Sequence, residues 1–132
     1  MDAKTTLLAG LPIFARLDQR SVEAIGTLAR QISVPAGTIL MVEGEAAESF
    51  YVIVRGTVRV ERGGTFVRSL TDGAFLGEIA LLEAGERTAT ATCATDCELI
   101  ELGIYEFGRV MDTFPDVRER VEAAVARRPH AG

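Results

Sequence analysis

Behind Asp18, apolar residues at Val22, Ile25, Leu28, Ala29 and Ile32 recur at three- and four-residue steps. This spacing predicts an amphipathic helix over 18–30 with Asp18 as its N-cap. From residue 31 to 103 the texture changes to short apolar and β-branched runs punctuated by glycine. The runs that read as strands are Ile32–Val34, Thr38–Val42, Phe50–Arg55, Thr57–Glu61, Thr65–Leu70, Thr88–Ala94 and Cys97–Leu102. Between them lie Pro35-Ala36-Gly37, Glu43-Gly44-Glu45, Gly56, Gly63-Gly64 and Asp72-Gly73, residues that accept tight-turn dihedrals. Short strands at this spacing predict a β-sandwich or barrel of the jelly-roll kind. Past Gly103 the helical period returns, with Ile104, Phe107, Val110 and Met111 on one stripe. Pro115 then opens a further helix whose apolar side is Val117, Val121, Ala124 and Val125, ended by Arg127, Arg128 and Pro129.

Within the strands, Phe50 and Tyr51 sit in a continuous apolar run and read as core. Phe66, Val67, Leu70 and Phe75 read as barrel interior or pocket wall. Thr88 and Thr90 alternate with Ala89 and Ala91, so one set faces inward and the other outward.

Composition narrows the picture. At 132 residues the chain fits a single domain, 1–132, with residues 127–132 as a tail. Its 48% hydrophobic and 25% charged residues suffice for a core. The formal charge of −5 argues against direct nucleic-acid binding, so any anion must be held by a local cation. The longest apolar run, Phe50 to Val54, is far short of the roughly 20 residues that cross a bilayer, and no membrane association is expected. Lys4, Leu7, Leu8 and Leu11 are interrupted by Asp2, Pro12 and Arg16, so this segment reads as part of the fold and not as a leader. Cys93 and Cys97 are too few for a disulfide scaffold, and with His130 the only histidine they complete no zinc site. No metal is expected, both thiols read as buried small hydrophobes, and a reducing, cytoplasmic setting follows.

One stretch breaks the strand pattern and carries the chemistry. Asp72-Gly73-Ala74-Phe75-Leu76-Gly77-Glu78-Ile79-Ala80-Leu81-Leu82 is followed by Glu83-Ala84-Gly85-Glu86 and then Arg87-Thr88-Ala89-Thr90-Ala91. Glu78–Leu82 is too short to nucleate a helix alone, so neighbouring strands must hold it. The backbone N–H groups at its start, near Gly77, suit an anion, and glycine lets a ligand come close. Arg87 adds a planar fork that binds phosphate through two parallel hydrogen bonds. Glu78, an acceptor when ionised, would seek hydroxyl donors such as those of a ribose. The plain alternatives are a surface ion pair of Arg87 with Glu83 or Glu86, and a dipole-stabilising role for Glu78.

In these residues the sequence resembles the cyclic nucleotide-binding domain family. That family is shared by the bacterial catabolite activator protein, the regulatory subunits of cAMP-dependent kinase, cGMP-dependent kinase and cyclic-nucleotide-gated channels. The likeness runs from about Leu8 to Ala126 and is most specific in the phosphate-binding cassette, Phe75 to Leu82 through Arg87 to Thr90. The scaffold glycines Gly37, Gly44, Gly56, Gly73 and Gly77 follow the family pattern as well.

The resemblance implies a mainly β fold with flanking α: an eight-stranded jelly-roll β-barrel with a short cassette helix, an N-terminal helix and two C-terminal helices. It implies that Glu78 bonds the ribose 2′-hydroxyl and that Arg87 neutralises the cyclic phosphate. Backbone amides of Gly77, Glu78, Ile79, Ala80, Thr88 and Ala89 would complete the cradle. Threonine at 88 suits bridging the phosphate and the 2-amino group of a syn guanine, a lean towards cGMP over cAMP. The closing helix would act as a lid through Val117, Val121, Ala124 or Val125, or else pack on the barrel or on a dimer partner.

The function expected is a non-catalytic sensor of cAMP or cGMP, with no cofactor beyond that ligand. Its partners would be an effector domain or a second copy, engaged through the C-terminal helices. The alternatives are a sensor fragment of a catabolite-activator-type transcription regulator or of a gated channel, and a barrel that has lost its nucleotide and serves as an interaction domain.

Overall fold

The computed structural model describes residues 2–78 and 85–127. The chain opens with α1 (Ala3–Ala9), a 3-10 turn (Pro12–Phe14) and α2 (Gln19–Leu28). Eight strands follow: β1 (Arg30–Val34), β2 (Ile39–Met41), β3 (Ser49–Arg55), β4 (Val58–Arg62), β5 (Thr65–Leu70), β6 (Phe75–Leu76), β7 (Thr90–Cys93) and β8 (Cys97–Gly103). Two helices, α3 (Ile104–Thr113) and α4 (Pro115–Arg127), close it.

The strands form two antiparallel sheets of four, ordered β1-β8-β3-β6 and β2-β7-β4-β5. This is the expected mainly β fold with flanking helices. Asp18 caps α2 as expected, its Oδ1 accepting from the Ser21 N–H at 2.8 Å. The N-terminal segment departs from the single helix expected there, because α1 is a separate element capped by Asp2. Two turns of helix hold too few apolar positions to show a period, yet Leu8 is buried against α2. The short cassette helix, with Ile79 and Ala80, lies outside the described residues apart from Glu78.

Two clusters make up the core. One fills the space between the sheets with Tyr51, Ile53, Val58, Leu76, Ala91, Cys93, Cys97 and Leu99. The other joins the helices to the back of the first sheet and includes Leu8, Phe14, Ile25, Phe50, Phe107, Val117 and Val121. Gly56 turns the chain between β3 and β4 at φ +120°, where a Cβ would stand 2.6 Å from Cys97 Sγ.

Phe66, expected as barrel interior or pocket wall, is 47% exposed, whereas Val67, read the same way, lines the pocket described below. A bulge in the β4–β5 ladder between Val60 and Glu61 sets Glu61 opposite Phe66, so the ring swings outward over the Arg59 guanidinium, 4.5 Å from its centroid. Val117 and Val121 are fully buried among the N-terminal helices, and Arg120 donates to the Ile13 carbonyl at 2.8 Å. In this conformation α4 packs on the N-terminal elements and contributes no described residue to the pocket below.

Candidate functional site

β7 is the wall on which the site stands. Ala91 within it and Ala89 just before it are buried and line the pocket, whereas Thr88 is exposed at the rim and Thr90 uses its hydroxyl to accept from the Glu43 N–H at 3.0 Å. Just ahead of this strand Arg87 is clamped by its backbone. Its N–H donates to the Glu45 carbonyl at 2.8 Å, and its carbonyl accepts from the Gly44 N–H at 2.9 Å. From that anchor the side chain runs inward and is 5% exposed. Nη1 donates to the Gly77 carbonyl at 2.8 Å and Nη2 to the Ser49 carbonyl. Burial lowers the guanidinium pKa, and Tyr51 and Glu48 work against that fall. Arg87 is therefore no solvated partner of exposed Glu86, and among the described residues it joins no ion pair. Glu83 lies outside the described residues.

Gly77 follows β6 at φ +97°, a conformation that favours glycine. A Cβ there would stand 2.9 Å from both Arg87 Nη1 and the Ser49 carbonyl oxygen. Glu78, next in sequence, is fully buried. Gly77, Glu78, Arg87, Thr88 and Ala89 all line one pocket that opens to solvent. Five of the seven expected site residues thus meet at one place, while Ile79 and Ala80 fall outside the described residues.

The remaining wall comes from Met41, Val60, Val67, Leu70, Leu76 and Ala91, together with Arg62 and Arg68. An apolar slot with a few convergent charged groups is the form of a small-molecule site. The profile of the cyclic nucleotide-binding domain matches residues 31–114. The chain belongs to this family.

As a cyclic nucleotide-binding domain it has relatives among ion channels. It is 34% identical over 122 residues to the human potassium/sodium hyperpolarization-activated cyclic nucleotide-gated channel 3, a match covering 92% of this chain and 16% of the channel. Among solved structures, Thermus thermophilus catabolite activator protein superposes with a TM-score of 0.78 at 28% identity, covering 88% of this chain and 57% of that one. The regulatory domain of Toxoplasma gondii PKA, in co-crystal with cAMP, gives 0.70 at 27%, covering 81% and 42%. The chain thus spans only part of the relatives it matches.

Arg62 and Arg68 are the pocket residues that pattern reading missed. Arg62 donates from Nε to the Thr88 carbonyl at 3.0 Å, pinning the rim of the domain's pocket. Arg68 shares strand parity with Leu70, and the β4–β5 register shows that this face turns to the pocket. Among the described residues no group of three or more His, Cys, Asp or Glu is placed to hold a metal ion. Nor is any helix there long and apolar enough to cross a membrane.

Proposed function

We propose that this domain binds cAMP or cGMP in the pocket between β6 and β7 and acts as a non-catalytic regulatory sensor within one folded unit, residues 1–132. The observation that carries the reading is that Glu78 and Arg87, nine positions apart, are both buried and line the same pocket. Arg87 would take the cyclic phosphate, since an arginine has five N–H donors and its two bonds to carbonyls leave others for oxygen acceptors. Glu78 would accept from the ribose 2′-hydroxyl, with the backbone from Gly77 to Ala80 and at Thr88 and Ala89 completing the cradle. The channels and the PKA regulatory domain among its relatives, named for cyclic nucleotides or crystallised with cAMP, support the same ligand class.

Output would pass through α3 and α4. The ligand shifts a conformational equilibrium only by its differential affinity for two arrangements. One guanidinium ties the start of β3 to the residue that follows β6, and β3 is also a strand on which α3 packs. Among the described pocket residues Thr88 is the only hydroxyl and there is no histidine or cysteine, which supports binding without hydrolysis. Free, buried Cys93 and Cys97 accord with a cytoplasmic setting.

Calorimetric titration of nucleotide-free protein with each nucleotide tests the reading, with one-to-one binding expected. Glu78→Gln should weaken it by about 1–3 kcal/mol through the hydroxyl contact. Absence of binding by either nucleotide would overturn the proposal, and an unchanged Glu78→Gln affinity would remove the ribose role.

A further inference from the structure

Thr88 and Ala89, two residues of the proposed cradle, lie beyond the ladders that hold β7. The pairing of β7 with β4 ends at Thr90 opposite Glu61, and its pairing with β2 ends at Ala91 opposite Met41. Side chains from two other segments hold this stretch instead. Arg62, the last residue of β4, donates from Nε to the Thr88 carbonyl at 3.0 Å. Glu43, two residues past β2, donates its N–H to the Thr90 hydroxyl at 3.0 Å, while its Oε1 accepts from the Gly63 N–H at 2.8 Å. Glu43 thereby ties the β4–β5 turn, next to Arg62, to the strand that follows the cradle.

The Thr88 carbonyl and the Ala89 N–H belong to one planar trans peptide and point opposite ways, so fixing the first fixes the second. A stretch already held in the competent orientation binds more tightly than one the ligand must order, because apparent affinity falls with the fraction of chains that are competent. Glu43 is exposed and is not one of the described residues that line the pocket. It can reach an anionic ligand only through these bonds or through its charge, and the two routes have opposite signs. The charge repels an anion, whereas the bonds order its cradle. We infer that Glu43 is a positioning residue for the nucleotide cradle: its carboxylate, by holding the Gly63 N–H, keeps Arg62 on the Thr88 carbonyl and so sets the direction of the Ala89 N–H. This rests on the nucleotide-binding reading above.

The test is calorimetry with cGMP and cAMP on the nucleotide-free native chain and on Glu43→Gln, Glu43→Ala, Arg62→Ala and the Glu43→Ala/Arg62→Ala pair. Glutamine keeps a side-chain oxygen for the Gly63 N–H and loses the charge, whereas alanine loses both. Glu43→Ala should weaken both nucleotides about three- to tenfold, the range of one net hydrogen bond, and Glu43→Gln should stay within about twofold of the native chain. Because Glu43 acts through Arg62, adding Glu43→Ala to Arg62→Ala should cost less than about twofold more. Circular dichroism melts establish that each variant is folded. Tighter binding by both Glu43 variants would show that only the charge is felt. That result, an unchanged affinity in Glu43→Ala, equal losses in the glutamine and alanine variants, or additive losses in the pair would overturn the assignment while leaving nucleotide binding intact. If neither nucleotide binds the native chain, the nucleotide-binding reading fails and the assignment falls with it.

Discussion

Gly77 and Arg87 are fitted to each other. The carbonyl of the glycine accepts from Arg87 Nη1 at 2.8 Å, and the place where a Cβ on residue 77 would sit is 2.9 Å from that same nitrogen. The absence of a side chain at one position thus permits the buried course of the guanidinium at the other. Gly77→Ala would add a left-handed backbone penalty to that collision. It is expected to cost about 1–3 kcal/mol of stability, measured by denaturant melts, and to weaken nucleotide binding in parallel. A variant as stable as the native chain with unchanged affinity would show that Arg87 has another course open to it.

Arg87→Ala removes more than a ligand contact, because the Gly77 and Ser49 carbonyls lose their donor. A loss of about 1–3 kcal/mol in folding is expected, with a further 2–5 kcal/mol lost from nucleotide binding. Chemical denaturation and calorimetry separate the two. Full stability with lost binding would place the guanidinium away from those carbonyls in solution.

Val121→Ala empties part of the core beneath α4, where the side chain is fully buried. The expected cost is about 2 kcal/mol of stability. Nucleotide affinity should change less than about threefold, since in this arrangement Val121 faces the N-terminal helices. A tenfold fall in affinity with stability preserved would show that the bound state carries this helix over the base.

Burial beside Cys97 pushes the Cys93 thiol up to about 12. An unfolded thiol ionises near its ordinary value of 9.0, so between these limits only the unfolded state gains from deprotonation, and stability falls as pH rises through that window. The native chain should resist iodoacetamide at pH 8 and react at both cysteines once unfolded, as mass spectrometry would report. Rapid labelling of Cys93 in the folded protein would contradict its burial.

Strand content was legible because alternation and glycine turns are local signals, and Asp18 marked the start of α2 for the same reason. What escaped were features set by neighbours distant in sequence. Nothing near Phe66 announces that a bulge opposite Val60 and Glu61 turns its ring to solvent. The seven residues of α1 acquire their place from α2 and not from a period of their own. At the site, Glu78 and Arg87 stood out by their place in the cassette, Glu78 directly after Gly77 and Arg87 directly after the Glu83-Ala84-Gly85-Glu86 loop. Arg62 and Arg68 did not, because a charged residue in a strand ordinarily marks its outer face, and only the ladder register shows which face β5 turns to the pocket.

The bond from Arg120 to Ile13 spans 107 positions, and the cluster around it draws Leu8 and Phe14 together with Val117 and Val121. During synthesis that cluster stays incomplete until Val121 has emerged from the ribosome. The oily faces of α1 and α2 stay open to chaperones until α4 has been made and arrives to seal them.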